Sequence, residues 1–229
     1  MLAFWAAALP FAALIGVPWT YLSNDIGFLY RLCMSAAFAG VRIAGVKVRT
    51  MGMEKLDPAR NYIFMSNHTS NLDPPIMLPL IPRYTSVLVK KELFKVPVFG
   101  KIMRIGSFVP VDRGNREAGI TAVREAVKAI SRGLNMTIYV EGKRSFDGRL
   151  LPFKKGPFYL AEECGVPVVP ITISGTEDCM PKAQFAIRPG VVTVEFHDPI
   201  EPADFGDRES LTAKVRAAIN RGLPPGLRA

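Results

Sequence analysis

Asn67-His68-Thr69-Ser70-Asn71-Leu72-Asp73 lies where the chain changes pattern. Before it, the apolar run Tyr62 to Ser66 predicts a buried strand. After it, Pro74-Pro75 predicts a helix start, because proline suits the first helical position. One of the chain's 2 histidines stands between them, with a carboxylate five residues on. Histidine is the side chain best matched to proton transfer near neutral pH, and a neighbouring acid would fix its tautomer and steady its charged form. Five residues on a continuous helix is a rotation of about 500°, so His68 and Asp73 would not share a helical face. They can meet if His68 lies on the turn and Asp73 at the helix entrance. A residue before proline is pushed towards extended geometry, as an N-cap requires. Two readings of Asp73 therefore stand side by side, helix cap and catalytic partner.

Downstream, strand-like and helix-like segments alternate from about Val46. Thr85–Val89, Ser107–Val111, Met136–Val140, Val168–Ile173 and Val191–Phe196 are strand-like. Short helices are expected over Pro74–Leu80 and Val98–Ile105, and one ending at Glu163 before Gly165. Arg116–Arg132 is the clearest helix, with Ile120, Val123, Val127 and Ile130 at helical spacing, and Leu211–Ile219 is amphipathic. The alternation predicts an α/β fold, a largely parallel sheet flanked by helices.

Polar clusters fall at three strand ends: His68 to Asp73, Asp112-Arg113, and Glu141-Gly142-Lys143-Arg144-Ser145. Ligands of open α/β sheets bind outside the carboxyl ends of the strands, so the clusters can converge on one pocket. Arginine matches phosphate with a planar fork of donors, which makes Arg113 and Arg144 a candidate phosphate pair. Lys90 or Lys91 would add a point charge. Glu141 is expected to orient an arginine or accept a substrate hydroxyl. Gly142 would let the backbone approach the ligand.

Composition narrows the partners. The chain has 229 residues, 49% hydrophobic, with formal net charge +9. A basic, apolar-rich chain points to a membrane surface or a phosphorylated substrate. Basic residues are scattered, which argues against nucleic acid. Three cysteines without Cys-x-x-Cys spacing give neither a disulfide framework nor a zinc site, and no metal is expected. Gly-x-Ser-x-Gly is missing, so a serine-hydrolase elbow is not expected. His197-Asp198 is taken as structural or surface.

Residues 1–22 carry no charged side chain, roughly 33 Å as a helix and enough to cross a bilayer. A second apolar stretch, Ile26 to Val48, is interrupted by Arg31, Arg42 and Lys47, which suits a helix lying in the interface. Either the first run spans, with Arg31, Arg42, Lys47 and Arg49 holding the rest on the cytoplasmic side, or both runs form a helical pair dipping into one leaflet. Pro10 and Pro18, read as breaks in the first run, favour the pair. The expected organisation is residues 1–48 as membrane-anchoring helices and 49–229 as the globular domain.

Four blocks in order carry a resemblance: Asn67-His68 with Asp73, Gly106-Ser107-Phe108-Val109-Pro110-Val111-Asp112-Arg113, Val140-Glu141-Gly142-Lys143-Arg144-Ser145, and Val166-Pro167-Val168-Val169-Pro170-Ile171. They resemble the motifs of the glycerolipid acyltransferases, beginning with His-x4-Asp, over about residues 60 to 175. The nearest group is the 1-acyl-glycerol-3-phosphate acyltransferases. Lys143 stands where that family usually has threonine, and Val140 where it has proline. The resemblance implies transfer of an acyl chain from acyl-CoA or acyl-carrier protein to the 2-hydroxyl of lysophosphatidate, without a cofactor. It implies His68 as base, Asp73 as its partner, and Lys90, Arg113, Glu141, Gly142 and Arg144 around the acceptor phosphate. It also implies membrane association, here expected at the cytoplasmic face of the inner (plasma) membrane. Acylation of another lysolipid, such as a lyso-ornithine lipid, and non-catalytic binding of anionic lipid are the competing readings.

Overall fold

A computed structural model describes residues 2–112 and 116–228. In chain order the elements are α1 (Leu2–Ser23), α2 (Gly27–Ile43), β1 (Val46–Met51), β2 (Ile63–Ser66), α3 (Asp73–Met77), β3 (Thr85–Lys90) and α4 (Phe99–Ile105). There follow β4 (Val109–Val111), α5 (Arg116–Ser131), β5 (Asn135–Tyr139), α6 (Gly156–Cys164), β6 (Val168–Ser174), α7 (Thr176–Cys179), β7 (Gly190–Phe196) and α8 (Arg208–Gly222).

The strands form one seven-stranded sheet in the order β1-β7-β6-β2-β5-β3-β4. Every neighbouring pair is parallel except β6 and β7, which run antiparallel. This is the largely parallel α/β sheet expected from the alternation. Its centre, β2, is buried at every residue because helices cover both faces. Successive side chains point to opposite sides. Ile63 and Met65 pack into a core with α5, α6 and α8, while Phe64 packs into a second core with Val41 of α2 and Ile76 of α3. The chain leaves β2 towards β3 on one side, and later returns from β5 across β2 to β6 on the other. The carboxyl end of β2 is thus the topological switch point, where such sheets bind ligands.

Two readings need correcting. Pro10 and Pro18 do not break the first apolar run: α1 is continuous through both. Each proline removes one backbone donor, and the flanking residues are otherwise good helix formers, so the helix survives the loss. The sheet also begins before residue 49, because Val46 already pairs with Gly190. α1 and α2 lie antiparallel: Trp5 Nε1 donates to the Ala36 carbonyl (3.2 Å), and Gly16 backs onto Leu29 so closely that a Cβ would sit 2.7 Å from the leucine side chain. Ala12, Ala13, Val17, Leu29 and Cys33 form the small core between the two helices. The opposite face of α1 exposes Phe11, Leu14, Trp19 and Leu22. Phe4–Ser23 is long and apolar enough to cross a membrane, by length and composition.

Candidate active site

The site begins with a side chain that imitates a sheet. Beyond the last ladder pair of β2 and β6, Asn67 turns its amide sideways. Nδ2 donates to the Ile173 carbonyl and Oδ1 accepts from the Ile173 N–H, both at 2.8 Å. This buried pair continues the parallel ladder by one rung, so the next residue, His68, leaves the sheet from a fixed point.

His68 Nδ1 lies 2.6 Å from Asp73 Oδ2. An ionised carboxylate only accepts, so Nδ1 carries the proton and Nε2 keeps its lone pair. Both residues are buried, Asp73 completely and His68 with 9% exposure. The imidazole stacks on the Tyr139 ring, centroids 4.2 Å apart. Its position is therefore set on one edge by charge and on one face by packing.

Asp73 is the first residue of α3 rather than its N-cap, a role taken by Leu72. Its carboxylate reaches backwards. Oδ2 accepts the amides of Thr69 (2.8 Å) and Ser70 (3.0 Å) as well as the imidazole. It braces the turn behind it instead of capping the helix ahead. Oδ1 accepts from Thr176 Oγ1 at 2.6 Å. That commits the Thr176 proton, so in the 2.8 Å contact between the two hydroxyls Thr69 is the donor.

Thr176 is completely buried at the start of α7, beyond the end of β6. Gly175 places it there at φ +90°, where a Cβ would come 2.4 Å from the Val191 carbonyl oxygen. Sequence reading gave Thr176 no role, since a lone threonine after a strand has no distinguishing pattern. Thr176→Val removes the donor to Oδ1 and leaves that oxygen unpaired. We expect kcat to fall about tenfold, in line with about 1–3 kcal/mol for an unsatisfied buried group. KM should stay the same, and Thr176→Ser should restore the rate; steady-state kinetics on the three proteins checks this.

The Glu-Gly-Lys-Arg-Ser segment follows β5 and lies against the histidine turn. The Ser145 amide donates to the His68 carbonyl at 2.8 Å. Glu141 is 1% exposed and accepts the amides of His68 (3.0 Å) and Leu151 (2.9 Å). Its hydrogen bonds among the described residues thus go to main chain, not to the arginine expected from sequence. Burial pushes its carboxyl up to about 7, while the two amides and Arg216 pull it down. Gly142 turns the chain at φ +68°, a left-handed conformation that favours glycine.

Arg144 is half-buried beside this turn. Lys90 stands at the end of β3, two strands from β2, and its Nζ lies 3.6 Å from Glu92. Lys91 pairs with Asp112 at the β3–β4 edge. Arg113 lies outside the described residues. The structure therefore gathers His68, Asp73, Glu141, Gly142 and Arg144 at the switch point and leaves Lys90 two strands away, at the end of β3. His197 is buried elsewhere, its Nε2 2.8 Å from Thr172 Oγ1. That hydroxyl donates to the Ile219 carbonyl, so Nε2 is the donor in the contact. Burial lowers the pKa of His197 against the pull of Glu195, and its burial in the fold makes it a structural residue.

Comparison with known proteins converges on one family. Residues 47–174 match the family model described as Acyltransferase. The chain is 34% identical over 190 residues to a 1-acyl-sn-glycerol-3-phosphate acyltransferase of Limnanthes douglasii, covering 82% of this chain and 66% of that protein. It is 32% identical to one of Cocos nucifera, over 86% of this chain and 63% of the other. The chain thus spans about two thirds of the length of these curated relatives. The crystal structure of the 1-acyl-sn-glycerophosphate acyltransferase PlsC from Thermotoga maritima superposes with a TM-score of 0.76 at 27% identity, over 96% of this chain and 87% of that one.

Proposed function

The chain belongs to the acyltransferase family, and from that membership we propose that it acylates the 2-hydroxyl of 1-acyl-glycerol-3-phosphate, giving phosphatidate for phospholipid synthesis. The observation that carries the reading is the His68–Asp73 pair, which leaves Nε2 as an unprotonated base at the sheet's switch point.

His68 Nε2 takes the proton of the acceptor hydroxyl. The oxygen forms a bond to the thioester carbonyl of acyl-CoA or acyl-carrier protein. The tetrahedral intermediate then collapses with cleavage of the carbon–sulfur bond, and the imidazolium returns its proton to the leaving thiolate. Asp73 stabilises the imidazolium between the two transfers. Positioned acid–base catalysis contributes about 10²–10⁴-fold, and holding the two substrates together supplies much of the remainder. The reaction needs no metal and no covalent acyl-enzyme. Arg144, with Arg113 and Lys90, is assigned to the acceptor phosphate, and Glu141 and Gly142 shape the turn that presents Arg144.

Membrane association belongs to the same proposal. The exposed Phe11, Leu14, Trp19 and Leu22 give α1 an apolar outer face, and lysolipid substrates keep their acyl chains in a leaflet. Docking of the α1–α2 pair at the cytoplasmic face of the inner (plasma) membrane would bring the site to its acceptor. The test is product formation: purified full-length protein, given lysophosphatidate with acyl-CoA or acyl-carrier protein, yields phosphatidate. Absence of product with both donors overturns the assignment. Product from a lyso-ornithine lipid in place of lysophosphatidate reassigns the acceptor.

A further inference from the structure

A third loop brings a cation to the site that neither the motifs nor the proposed phosphate contacts include. After α7 the chain runs back past the histidine turn, where Ser70 Oγ donates to the Met180 carbonyl at 2.7 Å. Two residues on, Lys182 Nζ donates to the Arg144 carbonyl at 2.7 Å. The same ammonium sits 3.5 Å from the centroid of the Phe146 ring. Phe146 is 76% exposed, so the ring is not held there by a core; on one side it forms a shelf under the lysine.

The local charge is one-sided. Lys143, Arg144 and Lys182 come together, and none of them takes part in an ion pair among the described residues. The two acids beside Lys143 and Arg144 in sequence are engaged elsewhere: Glu141 accepts the His68 and Leu151 amides, and Asp147 accepts from the Ser145 hydroxyl and the Arg149 amide. Partial burial, then the charges of Arg144 and Lys143, hold the Lys182 pKa below its ordinary value. An ammonium has three donors. One goes to Arg144 and the aromatic face takes a second, which leaves a direction open. Like charges gathered without a counter-ion are costly unless an anion completes them. Arg144 precedes Ser145, whose amide is bonded to the His68 carbonyl, so an anion here would be anchored beside the reacting groups.

We propose that Lys182, held on the Phe146 ring, completes with Arg144 a cationic cradle for a phosphoryl group of a substrate. The inference rests on the acyltransferase reading and adds to it a residue from the β6 side of the site. The phosphoryl group has two possible sources, the phosphomonoester of the acceptor and the phosphates of a CoA donor.

Steady-state kinetics on the full chain separates them. Lys182→Ala is expected to raise KM for lysophosphatidate roughly tenfold or more, as for a lost charge-assisted hydrogen bond, with kcat changed less than about twofold. Lys182→Arg should keep most of the affinity, and Phe146→Leu should raise the same KM by a smaller factor. A rise confined to KM for acyl-CoA, and not seen with acyl-carrier protein, places the cradle on the donor. An unchanged KM for every substrate, or a fall in kcat alone, overturns the proposal. Calorimetric titration with glycerol 3-phosphate and with CoA provides a reading independent of turnover. If the parent makes no product, the function assignment fails, and the cradle still stands or falls on whether Lys182→Ala weakens either titration.

Discussion

His68→Ala is expected to lower kcat by on the order of 10²–10⁴-fold, the range a positioned base supplies, while the protein remains folded. The ring is held by one hydrogen bond to the Asp73 carboxylate and one stacking contact at the edge of the core, and it carries no part of either large apolar cluster. Its removal therefore takes away the base without opening the sheet. The check combines turnover with thermal unfolding. A variant that keeps its melting temperature and loses turnover supports the assignment. One that keeps full turnover would falsify His68 as the base. KM for both substrates should move little, because the imidazole acts on the proton and not on the phosphate.

Glu141→Ala should damage both activity and stability. The carboxylate is the acceptor for two buried amides, at His68 and at Leu151. Each loses its partner at about 1–3 kcal/mol. For a chain of this size that is a fall in Tm on the order of 10 °C. Turnover should fall with it, because the amide released at His68 fixes the start of the turn that carries the proposed base. A pH dependence accompanies the effect. Burial raises the Glu141 pKa from the ordinary 4.5 to about 7, so the folded chain binds this proton more tightly than the unfolded chain. The resulting stabilisation is complete below about 4.5 and is lost as pH rises through about 7. Between those values Glu141→Gln should flatten the fall in Tm with pH that this group imposes on the parent. An unaltered slope would show that Glu141 titrates at its ordinary value.

The parts of the site legible in sequence were those in which one short segment holds the proposed base and its partner. His68 and Asp73 lie five residues apart on a strand–turn–helix junction, and apolar runs and prolines announce that junction. Strands β2, β5 and β6 were legible because burial on both faces makes them continuous apolar runs. The antiparallel turn of β7 was not, since direction within a sheet is set by how the α7–β7 connection folds back and not by the strand's composition. α1 was misjudged at its prolines, because each costs one hydrogen bond in a segment with many others. The places of Asn67, Thr176 and Lys182 were illegible in sequence. Asn67 stood in the opening motif, but its task is a backbone one, supplied at Ile173. Thr176 opens α7 and Lys182 follows it, and only the completed sheet brings Thr176 to Asp73 and Lys182 to Arg144. Glu141 was noticed, but its partners are main-chain amides, which leave no trace in residue identity.

The distances along the chain have a consequence for how the protein is made. The dyad itself is local, but its supports are not: Glu141 lies 73 residues after His68, the Asn67 rung spans 106 residues and the Thr176 bond spans 103. Chains are synthesised from the N-terminus, and contacts of large sequence separation close late. During synthesis α1 and α2 are complete long before Thr176 exists. On the proposed membrane docking, a nascent chain would reach the leaflet while its histidine and aspartate are present but unbraced. The bonds that brace the pair form only once β6 lies beside β2, so by the sheet's topology the proposed chemistry would wait until nearly the whole sheet has closed.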